Sequence, residues 1–192
     1  MNPILPNSTE RAPRPGGVAG VSSINFDALW QHVIAQFACG PDSVHGPSHW
    51  RRVEENGLLI ARHSGAIEPV VRLFAVFHDS RREHDGWDDA HGRHGAAFAA
   101  RLRGKWFDLP DYEFALLEYA CTWHTHGRTI SDPTIGTCWD ADRLDLGRVG
   151  KQPDPIYLST ATGRVLASGR ADRAASPPPV VAFSFVSLPK EG

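Results

Sequence analysis

The sequence contains few cysteines and no long apolar segment. Its three cysteines, Cys39, Cys121 and Cys138, are scattered over 192 residues and include no CxxC pair. They are too few for a disulfide framework, so we expect reduced and buried thiols. A run of about 18 apolar residues, which a membrane-spanning helix requires, is absent, and the N-terminus lacks the basic and apolar regions of a secretory signal. We therefore expect a cytoplasmic protein that does not enter a membrane.

The sequence also lacks a strong excess of charge of either sign. Its formal net charge is −2, whereas proteins that bind nucleic acid or anionic membranes usually present a basic surface. We expect neither as the main partner, and composition indicates no oligomeric state. Any preference for phosphate must come from a few local residues.

Composition divides the chain into three parts. Residues 1–22 are rich in Pro, Gly, Ser and Asn, so they cannot bury enough apolar surface to form a core and are predicted to be a disordered tail. Residues 23–165 suit one globular domain. Residues 166–192 are predicted to be weakly structured, although the apolar segment 180–188 could add a strand or pack loosely.

The first part of this domain has helical spacing and clear helix boundaries. Apolar residues recur three and four positions apart from Ile24 onward, with Asn25 or Asp27 available as the N-cap. Pro47 fits the first turn of a second helix, which places His49 in its opening turn. Gly65 is a plausible end of that helix.

A third helix is predicted to be buried on all sides. It starts near Pro69, and residues 70–77 are nearly all apolar. His78 and Asp79 follow at its C-terminal end. A carboxylate buried there needs a partner, because an unpaired buried charge is costly. A cation is the natural partner.

Three more helices are predicted, over about residues 88–102, over about residues 111–123 and from about residue 133 onward. No strand pattern interrupts residues 24–150. The sequence therefore predicts an all-α bundle of five to seven helices with flexible termini. The polar loop 80–89 follows Asp79 directly, and we expect it to be a substrate lid.

Two histidines and two aspartates supply the chemistry of a metal site. His49 and His78 offer neutral imidazole nitrogens, and Asp79 and Asp142 offer carboxylates. Such a set can hold a divalent cation and leave coordination positions open for water and substrate.

The order and local context of these residues resemble the HD superfamily of metal-dependent phosphohydrolases over about residues 42–150. His49 lies in the pattern His-x-x-Arg-Val, His78 and Asp79 match the signature dyad, and Asp142 matches the final ligand. The resemblance implies that these four residues bind metal and that the fold is an HD-domain helical bundle.

Members of this superfamily with two metal ions have further ligands between the dyad and the final aspartate. His91 precedes Gly-Ala as in the His-x-x-x-Gly-Ala element, and His124 opens His-Thr-His-Gly, which is similar to the His-Thr-x-Gly element of dinucleoside polyphosphate hydrolases. The resemblance implies that Asp79 bridges both ions and that His91 and His124 bind the second. The first ion would then be completed by His49, His78 and Asp142.

Other histidines are rivals for these roles. His94 lies three residues after His91 on the same predicted helix face, and His126 lies two residues after His124. Either could replace its neighbour as a ligand. His45 and His84 could instead contact the substrate.

The resemblance implies hydrolysis of a nucleotide or other small phosphoester by metal-activated hydroxide, with Asp79 and Arg82 as catalytic residues. Arg82 occupies the position where many members have lysine. The nitrogen-rich ligands favour one or two ions of Mn, Fe, Co, Ni or Zn over Mg. Alternatives are a di-iron HD-type oxygenase and a non-catalytic nucleotide-sensing module. Weaker candidates for phosphate contacts, of which Arg52 and Arg143 could instead pair with core carboxylates, are Arg52, Arg81, Lys105 and Arg143.

Overall fold

The computed structural model describes residues 24–175 and is helical throughout its core. Within that range there are seven α-helices and two short 3-10 turns, at Leu146–Val149 and Pro155–Tyr157. The predicted all-α bundle of five to seven helices is confirmed for this part of the chain. The predicted N-terminal tail 1–22 and the apolar segment 180–188 lie outside the described residues. The helices are α1 Phe26–Ile34, α2 Pro47–Ser64, α3 Glu68–Phe77, α4 His91–Leu102, α5 Asp111–Trp123, α6 Pro133–Arg143 and α7 Ala161–Ala175.

Helix α3 is the centre of the bundle. Its residues 70, 71 and 73–77 are all buried, as the continuous apolar run predicts. It packs against α2, α5 and α6 and also contacts α1 and α4. Because α3 is enclosed by these helices, the residues that follow its last turn enter the interior of the protein.

Helix α1 begins where local chemistry predicts, although it ends at Ile34, before the Gly40-Pro41 pair that would stop a helix. Helix α2 begins and ends where predicted. The Asn25 side chain caps α1 by accepting a hydrogen bond from the Ala28 backbone N–H at 3.1 Å. Pro47 is the first residue of α2, and Gly65 follows its end with a φ of 75°, which favours glycine. These boundaries place His49 on the first turn of α2, facing the interior.

Two glycines of α4 bring that helix close to its neighbours. A Cβ on Gly95 would lie 2.2 Å from the carbonyl oxygen of Phe77, and a Cβ on Gly92 would lie 2.3 Å from that of Cys121. Both distances are far below van der Waals contact, so only glycine permits this packing. The start of α4, with His91, is thereby held against the ends of α3 and α5.

The C-terminal part of the described chain packs on the bundle. Leu158 and Ala167 form a small apolar cluster with Ile60 and Leu144. The boundary predicted at residue 165 falls inside α7, so helical structure continues into the region expected to be weakly structured. No helix among residues 24–175 is long and apolar enough to cross a membrane.

Candidate metal centre and its cavity

Asp79 lies between two pairs of histidines. The Nε2 atoms of His49 and His78 are 3.1 Å apart, and each is 3.6 Å from Asp79 Oδ2. On the other side, the Nε2 atoms of His91 and His124 are 3.0 Å apart. They lie 3.2 Å and 3.7 Å from Asp79 Oδ1. Each oxygen of the carboxylate therefore faces a different histidine pair.

Asp142 joins the first pair. Its Oδ1 lies 3.2 Å from His49 Nε2 and 3.9 Å from His78 Nε2. The structure thus brings together all six residues predicted as metal ligands, although they come from five helices or helix ends. Two groups of three, which share Asp79, have ligand atoms within 4.8 Å of one another. The first group is His49, His78 and Asp79, and the second is Asp79, His91 and His124.

Each of the four histidines has its second ring nitrogen, Nδ1, on an oxygen acceptor. Such contacts fix the orientation of an imidazole and its tautomer, because a neutral ring then donates from Nδ1 and leaves a lone pair on Nε2. The acceptor is the Asp145 carboxylate for His49, at 2.7 Å, and the Phe74 carbonyl for His78, at 3.1 Å. It is the Asp88 carbonyl for His91 and the Cys121 carbonyl for His124, the latter at 2.7 Å.

This donor set fits divalent metal ions. In each histidine pair, two neutral rings would point lone pairs at each other over about 3 Å, an arrangement that is stabilised either by a metal cation or by a proton on one ring. Carboxylate oxygens complete both clusters. Imidazole and carboxylate together are typical ligands of transition metals. The arrangement could therefore hold one ion at each pair, with Asp79 shared.

Burial and partners shift the pKa values of the histidines in opposite directions. Burial lowers the pKa of His78 to about 3, so this ring is neutral near pH 7. Burial would also lower the pKa of His49, but hydrogen bonds to carboxylates, Asp142 among them, raise it above the usual value. The pKa of His124 is raised in the same way by Asp79. Without metal, His49 and His124 therefore keep a proton to higher pH than an ordinary histidine, and that charge offsets part of the carboxylate charge.

Both ligand carboxylates are strongly acidic. Burial alone would raise the pKa of Asp79, but the neighbouring imidazoles, His78 and His124 above all, hold it well below its usual value. Burial likewise opposes ionisation of Asp142, and the hydrogen bond with His49 lowers its pKa well below the usual range. Both groups are therefore ionised and able to bind a cation.

Two further side chains hold Asp79 from outside the histidine pairs. His45 Nδ1 lies 2.9 Å from Asp79 Oδ2, and Arg82 donates from Nε to Asp79 Oδ1 at 3.1 Å. Arg82 also donates to the Gly86 carbonyl at 3.1 Å. The predicted catalytic residue Arg82 is thus in direct contact with the predicted bridging carboxylate.

A cavity of about 480 Å³ opens onto this cluster. Its floor includes Asp79, His124 and Asp142, and most of its remaining lining comes from the chain between residues 143 and 158. Four cationic side chains line it, against three carboxylates that include Asp154 at the rim. The cations are Arg82, Arg143, Arg148 and Lys151.

A solved structure has the same fold. The crystal structure of a predicted HD superfamily hydrolase from an uncultured Thermotogales bacterium matches 78% of this chain and 86% of its own, with 27% sequence identity and a TM-score of 0.63. The chain belongs to the HD superfamily. No protein-family model matches the sequence, and no curated protein does, so the evidence for membership is the shared structure together with the dyad and its ligand motifs.

The rival histidines of this HD domain lie outside both ligand clusters. His94 is exposed on α4, and His126 pairs with Asp89 at the surface, with 2.8 Å between His126 Nε2 and Asp89 Oδ1. His84 is exposed as well. His45 is the only one of the four alternatives considered that reaches the cluster.

The four basic residues that were weaker candidates for phosphate contacts also differ in their positions relative to the cavity. Arg52 donates to Asp145 Oδ1 at 2.7 Å, so it pairs with a core carboxylate, as the alternative reading of this residue expects. Arg143 lines the cavity and donates to backbone carbonyls, including that of Tyr157 at 2.9 Å. Arg81 lies on another face, over the ring of Phe98. Lys105 is exposed and does not line the cavity.

Loop 80–89, which we predicted to be a substrate lid, does not cover the cavity. Of that loop, Arg82 alone lines the cavity. The Ser43 hydroxyl donates a hydrogen bond to the Asp85 carboxylate, which holds the loop against the chain before α2. Most of the lining beyond the metal ligands comes instead from the chain after Asp142, where the sequence has no motif.

Two residues that sequence reasoning missed lie beside the cluster. Asp145 Oδ2 is 2.7 Å from His49 Nδ1, and Arg148 Nη2 is 3.8 Å from Asp142 Oδ1. A signal for Asp145 existed, because it follows Asp142 by three residues and so falls on nearly the same side of a helical turn. Arg148 lies in a 3-10 turn, which has no recognisable pattern.

Proposed function

We propose that this HD-superfamily protein is a metal-dependent phosphohydrolase that cleaves a nucleotide or another small phosphoester. The observation that carries the proposal is the position of Asp79, with one oxygen toward each histidine pair, at the floor of a cavity lined by four cationic side chains. The solved neighbour is described as a predicted hydrolase of the same superfamily, which supports hydrolysis as the reaction class.

One or two divalent ions would be held by His49, His78 and Asp142 on one side and by His91 and His124 on the other. Asp79 would be shared. Bound divalent ions lower the pKa of water and polarise phosphoryl oxygens. The four imidazoles favour Mn, Fe, Co, Ni or Zn over Mg. The four Nδ1 contacts described above support the proposal, because they keep each Nε2 available as a ligand.

The chain's own residues bind and orient the phosphate in this proposal. Arg82 uses Nε and one Nη for Asp79 and Gly86, which leaves its other Nη for a phosphate oxygen. The guanidinium is thereby fixed before substrate enters, so little entropy is lost on binding. Arg82 would stabilise charge that builds up on the phosphoryl oxygens.

The size and apolar lining of the cavity suit a nucleotide. About 480 Å³ is within the usual range for small-molecule sites, about 300–1,000 Å³. Leu146, Pro153 and Tyr157 line the wall and could pack against a sugar or base. The three free cysteines support a reducing compartment such as the cytoplasm.

The test is phosphate release from a panel of nucleotides, cyclic dinucleotides, dinucleoside polyphosphates and sugar phosphates, with protein loaded separately with Mn, Fe, Zn or Mg. We expect turnover with at least one substrate and a loss of at least about a hundredfold in Asp79→Ala. Asp27→Asn, an exposed carboxylate on α1, is the matched control and should retain wild-type rates.

Two other results would replace the proposal. Iron-dependent dioxygen consumption without phosphate release would identify the di-iron oxygenase alternative. Tight nucleotide binding by metal-loaded protein without any turnover would identify a sensing module.

A further inference from the structure

The cations that line the cavity lie at different depths. Arg82 contacts Asp79 at the floor, whereas Arg148 and Lys151 come from the segment after Asp142 that also lines the cavity. Arg148 is about one-tenth exposed, with its Nη2 3.8 Å from Asp142 Oδ1. Lys151 is exposed and follows three residues later. A row of positive charge therefore runs from the ligand cluster toward the cavity rim.

Backbone contacts fix the position of Arg148. Its Nε donates to the Val44 carbonyl at 2.9 Å, and its Nη1 donates to the Asp145 carbonyl at 3.2 Å. These bonds use Nε and Nη1, and Nη2 is left beside His45 and Asp142. A guanidinium held in this way presents a fixed donor to an anion in the cavity.

Lys151 has no structural task that explains its charge. Its ammonium group forms no ion pair with any residue in the described range 24–175, although it lines the cavity. An unpaired lysine on an exposed surface is ordinary. One that continues a row of cations away from a phosphate site adds positive charge where a second anionic group would lie.

We propose that the substrate carries at least two linked phosphoryl groups, as a nucleoside diphosphate or triphosphate does, and this rests on the proposed function of the same site. The scissile phosphoryl group lies at the metal ligands, and the next one lies between Arg148 and Lys151. In the reaction, the oxygen of water bonds to phosphorus and the bond from phosphorus to the bridging oxygen breaks. The departing phosphate keeps the electron pair, and the protons of water go to it or to solvent.

Charge balance favours this class over a monophosphate. The cavity has four cationic side chains against three carboxylates, and any bound divalent ion adds to the positive side. A phosphomonoester has a charge of about −2 near neutral pH, so it leaves an excess of positive charge. A linked second or third phosphoryl group extends along the row and reduces that excess.

The test compares equilibrium binding of AMP with that of its α,β-methylene diphosphate analogue, which cannot be cleaved between its phosphorus atoms. Calorimetry is performed on Mn-loaded protein at one fixed concentration of free Mn. We expect the analogue to bind at least about tenfold more tightly than AMP, equivalent to one charge-assisted contact. Lys151→Ala should reduce affinity for the analogue at least about fivefold more than affinity for AMP. Lys105→Ala, an exposed lysine away from the cavity, is the control and should bind both like wild type.

Hydrolysis is measured on the same preparations with AMP, ADP and ATP. Equal binding of AMP and the analogue, or equal losses in Lys151→Ala, would overturn the polyphosphate inference even if AMP is hydrolysed. Preferential, Lys151-dependent binding of the analogue without hydrolysis of any phosphoester would uphold the inference for the site and refute the proposed phosphohydrolase. Preferential binding together with cleavage of ADP or ATP would support both.

Discussion

His45 Nδ1 lies 2.9 Å from Asp79 Oδ2, although the two residues are 34 positions apart. Arg82 Nε contacts the other carboxylate oxygen at 3.1 Å. Each oxygen of Asp79 therefore has one donor from outside the histidine pairs. Together the two donors fix the rotation of the carboxylate, which determines the oxygen that each pair faces.

Replacing His45 should affect the metal-free protein more than the metal-loaded protein. Without metal, His45 stabilises a buried carboxylate, and a hydrogen bond to a charged group contributes about 1.5–3 kcal/mol. With metal, the ion compensates the same charge. We expect His45→Ala to reduce the free energy of unfolding of metal-free protein by about 1–2 kcal/mol and that of loaded protein by less. Urea denaturation with and without Mn measures both. His94→Ala, an exposed histidine, is the control, and equal losses in the two states would show that His45 has only a packing role.

Asp145→Asn should weaken metal binding at the first histidine pair. Asp145 accepts from His49 Nδ1 at 2.7 Å and also holds Arg52. Loss of the carboxylate makes the His49 ring less basic and less firmly oriented, and changes of this kind typically cost about 10–100-fold in metal affinity. Competition with a fluorescent chelator gives the affinity. Asp27→Asn serves as the control, and unchanged affinity in Asp145→Asn would refute the role of Asp145.

Single substitutions should separate the two ion positions. We expect His91→Ala and His124→Ala each to lower the metal content from about two ions per chain to about one, because each contributes half of the second histidine pair. His49→Ala should remove the ion on the other side. Elemental analysis measures the content, with the exposed His94→Ala and His126→Ala as controls. If both ligand variants keep two ions, the proposal that Asp79 is shared by two metal ions is wrong.

Metal binding should release more protons near pH 7 than near pH 9. The pKa values of His49 and His124 are raised in the metal-free protein, mainly by hydrogen bonds to carboxylates that outweigh burial. Protons bound below those pKa values must leave when metal binds, and above them none remain to be displaced. Titrations at about pH 7 and about pH 9, in pairs of buffers with different ionisation enthalpies, give the number released. Release near pH 7 that is no larger than that expected from two imidazoles with the ordinary pKa of about 6.5 would contradict the raised pKa values.

Much of the fold and cluster could be predicted because their signals are local. Pro47 and Gly65 set the bounds of α2, the apolar run 70–77 predicted a buried helix, and the order of motifs predicted the six candidate ligands. The structure places those six side chains together, while their binding of metal stays a prediction. The prediction of an all-α fold held because helical spacing recurs throughout the domain.

The rest depended on contacts between distant parts of the chain. His45 reaches Asp79, and Arg148 donates to the Val44 carbonyl, across 104 positions. No spacing rule connects such residues. The prediction that loop 80–89 is a substrate lid has the same weakness. A polar loop after Asp79 resembles a lid in sequence, whereas tertiary packing decides which segment faces the site.

The wall between Asp142 and α7 is fastened at both ends. Arg143 bonds the Tyr157 carbonyl, and the Asp140 carboxylate accepts hydrogen bonds from the backbone N–H groups of Ser159 and Thr160, both at 2.7 Å. These hydrogen bonds hold together the two ends of a loop formed by residues 144–158. Closing a longer loop costs little additional entropy, so the ends can stay joined when the loop length changes. Substrate preference can therefore diverge by exchange of residues 149–157, provided that Asp145 and Arg148, which contact His49 and Asp142, are kept. Grafts of that part of the loop between HD proteins offer a route to new specificities.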